Sequence, residues 1–96
     1  MTLYQVQADI QTDNANRIMK RLCKHWSHKL KIELEDETAT IHFEKAICYL
    51  YIQPAKLISK ISTPERAILQ QMQSVVEDHL HRMATPEILT INWQNE

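Results

Sequence analysis

The chain contains no glycine. Glycine reaches positive φ without steric cost and lets backbone pass close to a ligand or a second segment. Its absence removes whole classes of site at once. A phosphate-cradling P-loop, a dinucleotide fingerprint and a Gly-x-Ser-x-Gly nucleophile elbow cannot be built from this sequence. Sharp turns must come from other residues. The candidates are Asp36-Glu37, Glu44-Lys45 and Gln53-Pro54, which separate runs of alternating apolar residues.

Those runs outline the chain. Tyr4, Val6, Ala8 and Ile10 alternate with Gln5, Gln7 and Asp9, the pattern of a half-buried strand. Thr12 offers a hydroxyl cap and Asp13 an acidic first turn for a helix expected over 13–27. Ala15, Ile18, Met19, Leu22 and Trp26 share one face of that helix. Three strands follow, with Leu30, Ile32 and Leu34, then Ala39, Ile41 and Phe43, then Cys48, Leu50 and Ile52 facing inward. Tyr49 and Tyr51 face the other way. A fourth strand carries Leu57, Ser59 and Ile61 inward. Thr63-Pro64-Glu65 opens a second helix that runs to about residue 83. Leu69, Met72, Val76, His79, Leu80 and Met83 share its apolar face, which Ile68 and Val75 widen. A last strand is expected over 88–94, with Leu89, Ile91 and Trp93 on one side. The predicted order is β-α-β-β-β-β-α-β, a single α+β domain over 1–96 with two helices on one face of a mostly antiparallel sheet.

Ninety-six residues suffice for one core, and 44% hydrophobic with 24% charged residues is ordinary for a globular domain. No apolar run approaches the roughly 18 residues of a membrane span. Residues 1–7 lack a basic region followed by an apolar one, so a cytoplasmic protein without a signal peptide is expected. Cys23 and Cys48 are then expected to be free thiols. The net charge is −1 but unevenly spread. Arg17, Lys20, Arg21, Lys24, Lys29 and Lys31 occupy a stretch without an acid, and Glu33, Glu35, Asp36, Glu37 and Glu44 follow. This is the pattern of a solvated helix face beside an acidic hairpin, or of a local positive field for an anionic ligand. A near-neutral total without a recognised module argues against nucleic-acid binding.

The densest chemistry lies in Leu22-Cys23-Lys24-His25-Trp26-Ser27-His28-Lys29. His25 falls beside Trp26 on the margin of the apolar face, and His28 is about 60° from His25 if the helix continues. Cys23 lies about 200° from His25 and is expected to point elsewhere, which argues against a Cys–His nucleophile and for a non-catalytic role. His79 lies inside an apolar stripe and Cys48 on an inward strand position. Imidazole and thiolate ligate zinc, iron or copper, and haem iron takes an axial His or Cys while basic residues pair its propionates. The expected metal set is therefore His25, His28, Cys48 and His79. Trp26, Lys24 and Lys29 are the expected contacts to a cofactor such as haem, with iron or zinc as the other candidates. Each residue also has a structural reading. Cys48 is then a small buried hydrophobe, His79 a core-edge histidine bonded to a backbone carbonyl or to Glu77 or Asp78, and His25 and His28 cationic company for a helix C-terminus.

The same residues carry a resemblance. The segment 22–29, the Ile41-x-Phe43 strand with Cys48 and Leu50 after it, and Val76-Glu77-Asp78-His79-Leu80 followed by Trp93 resemble the bacterial domain of unknown function 2218, over nearly the whole chain. Members are small bacterial proteins, and the domain also occurs joined to siderophore-interacting flavoproteins or encoded near iron-uptake genes. The resemblance implies an accessory role in iron, siderophore or haem handling, with such a flavoprotein as partner. It supplies no catalytic residues. Members often carry glycines in the meander turns, where this chain has Glu44-Lys45-Ala46. The competing expectation is a non-catalytic module that self-associates as a homodimer through its sheet and docks on a redox partner, its histidines purely structural.

Overall fold

A computed structural model describes residues 2–95. Its elements are β1 (Tyr4–Gln11), α1 (Ala15–Trp26), β2 (Lys31–Leu34), β3 (Thr38–His42), β4 (Ile47–Gln53), β5 (Lys56–Thr63), α2 (Arg66–Ala84) and β6 (Gln94–Asn95). The predicted order of elements is the observed one. The strands form one open antiparallel sheet in the spatial order β2-β3-β4-β5-β1-β6. The meander β2 to β5 is local. β1 then closes against β5 along its whole length, from Tyr4 opposite Thr63 to Gln11 opposite Lys56.

The period-2 pattern decides which face is covered. Val6, Ala8, Ile10, Ala39, Ile41, Cys48, Leu50, Leu57, Ser59 and Ile61 are all buried. They meet Ile18, Met19, Leu22 and Trp26 of α1 and Met72, Val76, Leu80 and Ala84 of α2 in one core. Each fully buried Leu or Ile there contributes about 1.5–3 kcal/mol of transfer free energy. Among the described residues, the opposite face of the sheet carries no helix. Tyr49 and Tyr51 lie on it with their rings stacked at 6.5 Å.

All three meander hairpins turn on two residues. Glu35 donates its N–H to the Thr38 carbonyl around Asp36-Glu37, and Phe43 donates to Ala46 around Glu44-Lys45, as expected. The third turn is displaced by one residue from the expected Gln53-Pro54. Gln53 opposes Lys56, so Pro54 and Ala55 make the turn. Ala55 has φ 60°, the one described residue at positive φ. Proline presets φ at the first turn position, and the second position of this turn takes the left-handed region. With no glycine available, an alanine occupies it at a cost of about 1–2 kcal/mol.

Other expectations are corrected. α1 begins at Ala15 and Asp13 lies outside it. Thr12 accepts the Asn14 N–H and donates its hydroxyl to Glu87, so it ties the start of α1 to the segment after α2 rather than capping the helix. Thr63 ends β5; its hydroxyl accepts the Glu65 N–H and donates to the Lys45 carbonyl. Cys23, which the apolar series of α1 left out, is buried at 3% exposure. The apolar face of α1 is thus wider than its best series, and Cys23 joins the same core as Cys48. The last strand shrinks from 88–94 to Gln94–Asn95, paired with Val6 and Gln7. The alternation before it survives without a ladder: Leu89 is buried, Ile91 and Trp93 pack on the core and Ile88 is 91% exposed.

Candidate functional site

α1 ends where α2 passes it, and the two helices bring His25 and His79 together. Their ring centroids are 5.1 Å apart. Trp26, the next residue on α1, turns its indole into the same corner, 4.7 Å from His79 and 5.0 Å from Phe43. The Phe43 ring stands edge-on to the indole at 82°. Edge-to-face aromatic packing of this kind adds about 0.5–1.5 kcal/mol beyond buried area. Phe43 was anticipated only as an inward strand residue. Its partnership with Trp26 depends on β3 ending beneath the end of α1, and no local pattern marks that.

The corner is held by backbone. Without a glycine at its C-terminus, α1 closes through its own carbonyls. Ser27 N–H donates to the Cys23 carbonyl at 2.9 Å, and Ser27 Oγ donates to the Lys24 carbonyl at 2.8 Å. The N–H groups of Lys29 and Leu30 both donate to the Trp26 carbonyl. These bonds satisfy the carbonyls of Cys23, Lys24 and Trp26, three of the orphan acceptors of this helix end. They leave Lys24, His25, His28 and Lys29 exposed.

His79 is half-buried, and its Nδ1 lies 2.8 Å from the Val75 carbonyl. A carbonyl only accepts, so Nδ1 carries a proton and donates, which in the neutral ring leaves the lone pair on Nε2. The carbonyl bond expected on the structural reading is therefore present. Glu77 serves elsewhere: it accepts from Trp93 Nε1 at 3.0 Å and anchors the C-terminal segment.

Cys48 does not join the corner. It is fully buried on β4, with Sγ 3.8 Å from Ser59 Oγ. Burial pushes its thiol from an ordinary 9.0 up to about 12, against the lowering effect of the Ser59 hydroxyl. Burial also raises the Cys23 thiol. Neither sulfur is a thiolate near neutral pH, which removes the activated form that a nucleophile needs. Among the described residues, no group of three or more His, Cys, Asp or Glu side chains is placed to hold a metal ion. The expected set of His25, His28, Cys48 and His79 is thus not preassembled, and the fold brings together its His25 and His79.

On the uncovered face His42 Nε2 meets Glu33 at 2.7 Å. The two lie diagonally across the β2–β3 pair, since Lys31 opposes His42 and Thr40 opposes Glu33. The hydrogen bond to His42 holds the Glu33 carboxyl below its usual range. Sequence reading missed this pair, because its cross-strand register follows from the Asp36-Glu37 turn.

Comparisons with known proteins agree with this architecture. The chain is similar to PA4090 from Pseudomonas aeruginosa, solved by NMR, at 40% identity over 95% of each chain with a TM-score of 0.79. No curated protein matches it. Among the described residues, no helix is long and apolar enough to cross a membrane. Residues 7–94 match the family described as "Uncharacterized protein conserved in bacteria (DUF2218)", and the chain belongs to that family.

Proposed function

We propose that this chain is a cytoplasmic accessory protein of iron handling that takes a metal-bearing anionic ligand, a haem or a ferric siderophore, at the His25–Trp26–His79 corner. The observation that supports this most is the pairing of two imidazoles 5.1 Å apart, one with its Nδ1 proton committed to Val75 and its Nε2 lone pair left over. A bare ion needs three or four protein donors. A metal already wrapped by a porphyrin or a chelator asks for one or two. The buried indole of Trp26 backs the two imidazoles, and the exposed Lys24 and Lys29 offer charge to carboxylates or catecholates at the same end of α1. His28, exposed on the turn after α1, is the next imidazole within the same segment. A siderophore-interacting flavoprotein is the partner that suits such a carrier.

The test is a titration of the protein with haemin, a ferric tris-catecholate and zinc, read by ligand absorbance and tryptophan fluorescence. A saturable one-to-one change with haemin or the ferric chelate, lost in H25A/H79A, is expected. A flat response to both iron ligands, or a response the double variant retains, overturns the reading.

A further inference from the structure

β2 is an edge strand with nothing paired to its outer side among the described residues. Its sequence context is Lys29-Leu30-Lys31-Ile32-Glu33-Leu34-Glu35. In residue class this stretch is complementary to itself when reversed about Ile32. Leu30 maps onto Leu34, and each lysine maps onto a glutamate. An antiparallel neighbour runs in reverse, so a second copy of this segment presents its complement.

The backbone is set for that pairing. Glu35 sends its N–H inward to Thr38. The period of two then turns the N–H and C=O of Glu33 and Lys31 toward β3, and those of Ile32 and Leu34 toward the free edge. The Leu30 N–H is taken by the Trp26 carbonyl, which leaves its C=O for a neighbour. A two-fold axis at Ile32 lets the two Ile32 residues exchange both main-chain bonds. It also lets each Leu34 N–H reach the Leu30 carbonyl of the other copy.

The side chains agree with the backbone. Ile32 and Leu34 lie opposite Ile41 and Ala39 on the helix-bearing side, and Leu34 is 49% exposed, one of three large hydrophobics left so open among the described residues. On the other side the axis sets Lys31 directly against Glu33 of the second copy, twice. Sliding the register by two residues in either direction sets Lys31 against Lys31 or Glu33 against Glu33, and like charges directly opposite are destabilising. An edge that avoids pairing carries charges that repel a copy of itself or is kept very short, as the two-residue β6 is at the other end of the sheet. The charges on β2 do the reverse.

We infer that two copies of this chain pair antiparallel through β2, centred on Ile32, to form one continuous sheet across the dimer. The occupant of the edge is a second copy because the charge order of β2 matches no other strand of this chain as closely as its own.

Sedimentation equilibrium of the full chain over a wide concentration range tests this. The wild type is expected to show a reversible doubling of mass. E33K sets lysine against lysine twice and is expected to weaken it by about tenfold or more. K31E/E33K reverses both charges, so it is expected to dimerise with itself and not to mix with the wild type. Leu34→Pro removes an N–H that faces the free edge, where proline is tolerated, and is expected to yield a folded monomer by circular dichroism. A wild type that stays monomeric to about 1 mM overturns the inference. So does a dimer that E33K and L34P leave intact and Tyr49→Ser disrupts, which would place the contact on the tyrosine face. If L34P fails to fold, the mixing experiment with K31E/E33K still decides.

Discussion

Cys48 and His79 both stand on apolar faces in the sequence, and the fold treats them in opposite ways. Cys48 is drawn into the middle of the sheet, covered on its helix side and touched by one hydroxyl. His79 lies near the end of α2, half-buried, with one ring nitrogen tied to backbone and its ring against His25 and Trp26. The difference is position along the element. A residue in the interior of a central strand is enclosed by neighbours on all sides, whereas one near the end of a helix has neighbours on part of its surface only. Burial silences a thiol by penalising its charged form. Partial burial orients an imidazole and leaves one nitrogen usable.

The comparison can be broken most forcefully at Trp26, the wall of the corner. W26A removes the ring that packs on both Phe43 and His79 and is expected to cost about 3–5 kcal/mol in urea unfolding. A loss below about 1 kcal/mol would mean that the corner is not built on the indole. The next effect belongs to Cys48. Its folded pKa is raised, so its contribution to stability is complete below about pH 9 and is lost as pH climbs toward about 12. The alkaline limb of a melting profile is therefore expected to fall steeply in the wild type and more gently in C48A. Parallel limbs in the two proteins would sink the assignment.

The finest test separates the two histidines. H79A loses ring packing and the bond to Val75, and is expected to cost about 1 kcal/mol. H25A, at an exposed position, is expected to change stability by less than about 0.5 kcal/mol. If both variants also lose ligand binding, a site is separated from a scaffold. Equal stability losses without any effect on binding would make both rings structural.

Much of this was legible in the residues. Alternation placed Val6, Ala8, Ile10, Cys48, Leu50 and Ser59 on the covered face, and helical spacing placed Ile18, Leu22, Val76 and Leu80 in the core. The bond from His79 to a carbonyl followed from its place on an apolar stripe. The misreadings share one cause. Alternation reports which side a residue faces and not whether its backbone is paired, so the segment before β6 kept its facing and lost its ladder. Thr12 and Thr63 have the hydroxyls of helix caps, yet Glu87 and Lys45 claim them from across the fold. Cys23 falls outside the best apolar series of α1, yet it is buried in the same core as Cys48.

Local chemistry, then, determined the elements, their order, the covered face and the absence of glycine-dependent phosphate sites, because each depends on a period of two or 3.6 or on a single residue's allowed φ. Tertiary structure alone decided that His25 meets His79, that Phe43 braces Trp26, that Glu33 reaches His42, and that β2 rather than a longer strand lies at the edge. Those outcomes depend on register and on the crossing of helices. Both are set by the summed packing of residues far apart in the chain, which no short window of sequence contains.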